Sequence, residues 1–399
     1  MPQDSGDRPV RHLLGRERYY MKTLVWHWGR RGAGPVFAAR LATALRELGR
    51  GPVRLSLAAG AEILAAPDAP EYCWGEATYD TKLGFVLQRL ASPFVAGRTL
   101  ARLRQDLPDF AICAMPALLD GRMETALRKA GVEYGVIVHD AQAHPGENLN
   151  FRVLDQRHLL RGARCLFALT RHVEDELLRQ GYGKNGQMVV KLWHPAISFG
   201  AAPAQDGLGA APVLRPISKR PRILHFGRLL PYKGLDLLAG ALERIGPDRD
   251  FELRICGDGP NSRSLEWLKA QPGILLERRW FADSELPGLM DWADALVLPY
   301  REASQSGVAS LAIAAGKHVL ATNVGGLPEQ LGHLPQAILC DPSAAAIAHG
   351  LRQLAARLGQ ARPEIALVDA AADWRAMAAA MCDVIANLIR EPKLVGPPA

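Results

Sequence analysis

The sequence predicts an α/β protein built from two doubly wound, Rossmann-like domains that face each other across a cleft. Three observations predict this. Short apolar runs alternate with stretches of helical spacing along most of the 399 residues, and such alternation implies parallel sheets covered by helices on both faces. A Gly-, Ala- and Pro-rich stretch of poor periodicity, residues 201–221, divides the series into two halves. Two glycine-bearing loops in the second half, around residues 227–234 and 299–307, each join an apolar run to a helical segment. In open α/β sheets that is where ligands sit.

Residues 1–20 form a polar, Arg-rich lead that is expected to be disordered. The first domain is expected over 21–200. Its strands are expected at Thr23–Trp26, Val53–Leu57, Phe110–Ala114, Tyr134–Val138, Cys165–Leu169 and Met188–Leu192. After the first strand, Pro35 suits an opening helical turn, and Phe37, Leu41, Ala44, Leu45 and Leu48 follow at helical spacing. The second domain is expected over 222–369, with strands at Arg222–Phe226, Phe251–Cys256, Leu275–Glu277, Ala295–Leu298, His318–Ala321 and Ala337–Leu339. Residues 370–399 carry a last helix and tail. Trp374, Met377, Met381, Ile385 and Leu388 give that helix one apolar side, which must pack on something.

Composition narrows the function class. The chain is 48% hydrophobic and 22% charged, ordinary for a globular protein. No apolar run reaches the ~18–20 residues of a membrane span, and the first residues lack the apolar core of a signal peptide. The six cysteines are scattered without a C-x-x-C pair, which argues against a disulfide frame or zinc site and for a reducing, cytoplasmic setting. No Asp/His cluster has metal-ligand spacing, so no metal and no cofactor are expected.

The net charge of +7 lies wholly in the first half, where residues 1–196 hold 27 Lys and Arg against 20 Asp and Glu. Such a surface either solubilises or attracts an anionic partner. From Lys82 to Gln105 there is no acidic residue, and leucines, valines and phenylalanines are interleaved with arginines. That segment reads either as a surface helix packed on its sheet or as a basic amphipathic helix on an anionic membrane surface. No nucleic-acid partner is expected.

The two loops carry the chemistry. In Phe226-Gly227-Arg228-Leu-Leu-Pro-Tyr-Lys233-Gly234, glycines allow close backbone approach while Arg228 and Lys233 supply two fixed cations. That combination suits a diphosphate. In Pro299-Tyr300-Arg-Glu302-Ala-Ser-Gln-Ser306-Gly307-Val308, the glycine opens a helix whose first N–H groups favour phosphate oxygens. The sequence Arg279-Trp280-Phe281 offers an aromatic face. In the first half, Val136-Ile-Val-His139-Asp140 ends a strand and leads to His144 and Glu147. Gly29-Arg30-Arg31-Gly32-Ala33-Gly34 lacks the spacing of a dinucleotide fingerprint.

These residues resemble a retaining glycosyltransferase of family 4, a group with the GT-B fold. The similarity is strong over Ile223–Gln330 and weaker over Lys22–Val36 and Val136–Glu147. It implies two facing domains with the terminal helix crossing back to the first. It implies transfer of a sugar, hexosyl in type, from a nucleotide-diphosphate sugar to a carbohydrate or lipid-linked acceptor hydroxyl. The setting would be polysaccharide or glycolipid synthesis. Arg228, Lys233, His139 and Glu302 are the expected catalytic residues. Gly227, Gly234, Trp280, Phe281, Ser306, Gly307 and Val308 are expected at the donor, and Arg30, Arg31, Gly32, Gly34, His144 and Glu147 on the acceptor side.

One departure stands out. The family's two glutamates, with seven residues between them, fall at Ser304 and Ala312 when aligned on Gly307, and the second falls at Leu311 when aligned on Gly316. Either way the second Glu, which holds the ribose in the family, is absent, and Glu302 stands in for the first. A GT-B sugar-nucleotide epimerase and a non-catalytic nucleotide-sugar-binding protein are the alternatives.

Overall fold

The computed structural model describes residues 20–66, 69–142, 150–198, 220–360, 365 and 367–390. The expected disordered lead, nearly all of the expected linker, and the candidates His144 and Glu147 lie outside the described residues.

The first domain holds strands β1 (Thr23–His27), β2 (Val53–Ala58), β3 (Trp74–Glu76), β4 (Phe110–Cys113), β5 (Glu133–Val138), β6 (Cys165–Ala168) and β7 (Met188–Lys191). They pair in parallel in the order β3-β2-β1-β4-β5-β6-β7. Helices α1 (Ala33–Glu47), α2 (Lys82–Leu90), α3 (Ser92–Gln105), α4 (Gly121–Ala130), α5 (Asn150–Gly162) and α6 (Arg171–Arg179) connect them. Every residue of β1, β4 and β6 is buried. This is why those strands read as unbroken apolar runs: helices cover both faces of the sheet. The edge strand β3 has no such run. Its Trp74 is buried beneath the Arg54 guanidinium, 5.2 Å from the ring centre.

The second domain holds β8 (Arg222–Phe226), β9 (Glu252–Gly257), β10 (Ile274–Arg278), β11 (Ala295–Leu298), β12 (His318–Thr322) and β13 (Ala337–Cys340), parallel and in the order β10-β9-β8-β11-β12-β13. Its helices are α7 (Leu235–Ile245), α8 (Arg263–Lys269), α9 (Leu286–Trp292), α10 (Gly307–Ala314), α11 (Leu327–Leu331) and α12 (Ala344–Gly359).

The final helix α13 (Ala370–Arg390) leaves the second domain and joins the core of the first. Trp374, Met377, Met381, Ile385 and Leu388 are buried there with Val25, Phe37 and Leu41. Trp374 Nε1 donates to the Ala196 carbonyl at 2.9 Å, and its ring meets Phe37 edge-on at 4.8 Å.

Both sheets reverse direction beside their first strand. The order turns between β1 and β4 in one sheet and between β8 and β11 in the other. A crevice forms where neighbouring connections leave on opposite faces. The loops after β8 and β11 border one crevice, and the loop after β1 borders the other.

Candidate active-site cleft

Two loops of the second domain are locked together at its crevice. Gly234 has φ +69, and a Cβ there would overlap the Pro299 carbonyl oxygen, so only glycine lets the strands' ends approach this closely. Arg301 N donates to the Tyr232 carbonyl at 2.8 Å, a second tie between the loops. Between them lies Lys233. Its ammonium sits 3.7 Å from the Tyr300 ring centre and 5.0 Å from that of Tyr232. Burial pushes it down to about 8, opposed by Tyr232 and by Asp140 of the first domain. Arg228 is exposed at the mouth of this slot, and its Nη2 donates to Tyr232 Oη at 2.9 Å. Tyr232 thus touches both candidate phosphate-binding cations.

The start of α10 closes the crevice from the other side. Ser306 caps the helix, its Oγ accepting from Ala309 N at 3.2 Å. Its own N–H donates to Gln330 Oε1 at 2.8 Å. Gly307 and Val308 fall in the first turn, where a helix offers its own N–H groups no acceptor. Their partial positive charge faces the same crevice as Arg228 and Lys233.

The first domain contributes His139 at the end of β5. Its Nε2–H donates to the Ala114 carbonyl at 3.0 Å, and Nδ1 accepts from Gln305 Nε2 at 3.4 Å. These partners fix the tautomer. Burial, with His194 nearby, lowers the ring to about 3, so it is neutral in all ordinary buffers. Both ring nitrogens are therefore engaged by protein. Gln305 has a second property: its Oε1 is buried and makes no hydrogen bond within the protein.

Other contacts hold the domains face to face. Thr170 Oγ1 donates to the Ser304 carbonyl at 2.8 Å, and Lys191 Nζ meets Glu329 at 2.7 Å. Ser310 Oγ lies 2.8 Å from His194 Nδ1. Trp280, partly exposed, donates from Nε1 to the Glu62 carboxylate at 3.2 Å and lies over Gly32 of the loop after β1. Beside them Asp283 is pushed up to about 6 by burial and by the Glu62 charge.

The expected residues fall into three groups. Gly227, Arg228, Lys233, Gly234, Ser306, Gly307 and Val308 gather at one crevice, with His139 opposite. Trp280, Gly32 and Glu302 line the space between the domains. Glu302 borders a cavity of about 250 Å³, together with Gln142, His172 and Glu176 from the first domain.

Three of the remaining residues make contacts within the protein that the sequence does not show, and the fourth is exposed. Arg30 is held by the Gly60 and Tyr79 carbonyls at 3.1 and 3.3 Å and pairs with Asp80. Gly34 leaves room for the buried His27 ring, and Phe281 lies in the core against Phe226, while Arg31 is exposed. Sequence reasoning missed Gln305, Asp140, Glu62 and Tyr232. The first lies inside the recognised Ser304–Val308 motif. Its place between two serines was its only local signal.

Among the described residues no three His, Cys, Asp or Glu side chains gather as a metal site, and no helix is long and apolar enough to cross a membrane.

Residues 220–357 match the family "Glycosyl transferases group 1". Over 160 residues the chain is 30% identical to 2-deoxystreptamine glucosyltransferase of Streptomyces kanamyceticus, covering 39% of this chain and 41% of that protein. The chain thus spans well under half the length of that relative. The fold is similar along nearly its whole length to sucrose-phosphate synthase from Thermosynechococcus elongatus (TM-score 0.64, 17% identity, 92% of this chain and 99% of the other). It is likewise similar to HepE from Anabaena, solved with UDP and glucose (TM-score 0.61, 15% identity, 92% and 99%). The chain therefore takes the GT-B fold, and its second domain is the part that matches the glycosyl transferases group 1 family.

Proposed function

We propose that this protein is a glycosyltransferase that moves a sugar, hexosyl in type, from a nucleotide-diphosphate donor to an acceptor hydroxyl with retention of anomeric configuration. The observation that carries the reading is the meeting of Lys233, Arg228 and the α10 start in one crevice, with His139 and Asp140 facing them from the other domain.

The donor diphosphate lies against the α10 N-terminus, with Arg228 and Lys233 on its oxygens. The bond from the anomeric carbon to the diphosphate oxygen breaks. The acceptor oxygen forms its bond on the same face, and its proton passes to the leaving phosphate oxygen. Charge grows on the diphosphate during this step, and fixed cations aimed at that charge lower the barrier without reorganising. The neutral His139 holds Gln305 in place, leaving the Gln305 Oε1 acceptor for a sugar hydroxyl. The acceptor is a carbohydrate or lipid-linked saccharide of polysaccharide or glycolipid synthesis. Transfer is read as metal-independent.

The test is a thermal-shift screen of UDP-, GDP- and ADP-sugars, followed by nucleotide release with candidate acceptors. A true donor raises Tm, and the rise grows with the logarithm of its concentration above Kd. Release that depends on an acceptor and persists in excess EDTA is expected. Conversion of the donor to another sugar nucleotide without acceptor, or binding without turnover, would overturn the reading. Loss of activity in EDTA with recovery on Mg²⁺ or Mn²⁺ would overturn metal independence alone.

A further inference from the structure

Helix α2 turns its apolar side outward. Leu83, Val86, Leu87 and Leu90 occupy positions i, i+3, i+4 and i+7, one face of a helix. They are 70, 51, 58 and 72% exposed. Phe94, in the first turn of α3, extends this ridge and is 81% exposed. Beneath the ridge the contacts are polar. Arg122 of α4 is buried, and its Nη2 donates to Gln88 Oε1 at 2.9 Å and to the Gln88 carbonyl. Its Nε donates to Ser92 Oγ at 3.2 Å. Rolling the leucines inward would take Gln88 and Ser92 from that buried guanidinium and leave it the Ala77 carbonyl at 3.4 Å, a costly arrangement. The fold therefore holds the ridge in the open.

Charge identifies what covers it. No acidic residue occurs between Lys82 and Gln105, and Arg89, Arg98, Arg102 and Arg104 are exposed around the ridge. Arg102 reaches Glu76 at 3.3 Å, but that carboxylate is itself buried. An apolar ridge bordered by arginines matches an interfacial helix: leucines enter the acyl boundary and cations stay with anionic headgroups. A second copy of this chain fits less well, because pairing the ridges would bring like charges together.

We propose that the outer face of the α2–α3 segment docks the protein on an anionic lipid bilayer. The segment is also tied to the cleft. Arg30, in the loop after β1, holds Tyr79 and Asp80, which immediately precede the α2 cap Thr81. Docking thus sets that loop near the bilayer surface. If the transferase reading holds, the same geometry presents a lipid-linked acceptor to the cleft.

Full-length protein is tested by co-sedimentation with vesicles of phosphatidylcholine alone and of phosphatidylcholine mixed with phosphatidylglycerol. Binding is expected only with the anionic lipid and is expected to fall with added salt. Replacing Leu87 and Leu90 together by Glu should abolish it. Replacing Arg98, Arg102 and Arg104 by Ser should weaken it by about two orders of magnitude. Thermal shift by nucleotide sugars should be unchanged in both variants, which separates this outcome from failure of the transferase reading. Equal recovery with both vesicle types, or full binding by the Leu87/Leu90 variant, would overturn the proposal. So would a dimer in solution that the Leu87/Leu90 variant converts to monomer, since the ridge would then belong to a second copy.

Discussion

Lys233 shows how a single residue trades stability for chemistry. Its folded pKa of about 8 lies below the ordinary 10.5. Between those values the unfolded chain holds a proton that the folded chain releases, so its contribution to stability rises with pH across that window. Below pH 8 both states are charged and the folded state bears the cost of burial. Lys233→Met should therefore raise Tm at pH 7 while lowering turnover by roughly 10²–10³. Differential scanning fluorimetry and kcat on one preparation check both halves, and a lower Tm would refute the first. For the free enzyme, kcat/KM should fall as pH rises above about 8. His139 gives the opposite expectation. It is neutral above pH 4, so the profile should show no limb from it near 6.5. The importance of Lys233 was legible in the sequence because Gly-flanked cations follow an apolar run. Its sandwich between Tyr232 and Tyr300 was not, since Tyr300 lies 67 positions away and leaves no local trace.

At the scale of elements, the buried strands were legible because sheets covered on both faces select continuous apolar runs. The three-residue edge strand β3 escaped notice because it is too short to show a pattern. Helix α2 misleads in another way. Its spacing gives the same signal whichever side faces the core, and the decision lies with Arg122, more than 30 positions on. The Gly234 turn is a further element-level device. Gly234→Ala would force a methyl against the Pro299 carbonyl and strain a left-handed backbone. The variant should lower Tm and weaken nucleotide-sugar binding by about tenfold or more through displacement of Lys233. Titration of a donor identified by thermal shift measures this directly.

Long-range polar contacts hold the two domains face to face, and burial of titratable groups gives the molecule two pH responses. His27, His139, His194 and His225 are buried and lowered to about 4, 3, 4 and 4. As pH falls below 6.5 the unfolded chain gains protons that the folded chain refuses, so stability is lost progressively toward pH 4. Urea midpoints at descending pH should fall across this window, and less steeply in His139→Gln. Asp283 acts with the reverse sign. Its folded pKa is raised to about 6, so it costs nothing at low pH and destabilises as pH rises from its ordinary 3.8 through 6. Asp283→Asn should then raise Tm at neutral pH, with little change near pH 4, and draw Trp280 and Glu62 together across the cleft. Fluorescence of Trp280 compared with the Trp280→Phe variant reads the second effect.

The helix that crosses back has a consequence for how the protein is made. Residues 374–388 supply part of the wall around Phe37 and Val25, which emerge from the ribosome some 340 residues earlier. The first domain to be synthesised therefore waits, incomplete, until nearly the whole chain has been translated. During that interval its apolar seam is open to chaperones and proteases. Any chain cut short before Trp374 keeps the seam open for good, so it should partition to the insoluble fraction or be degraded even though both sheets are fully encoded. A nonsense product is thereby marked for disposal by the very surface that its missing helix would have hidden.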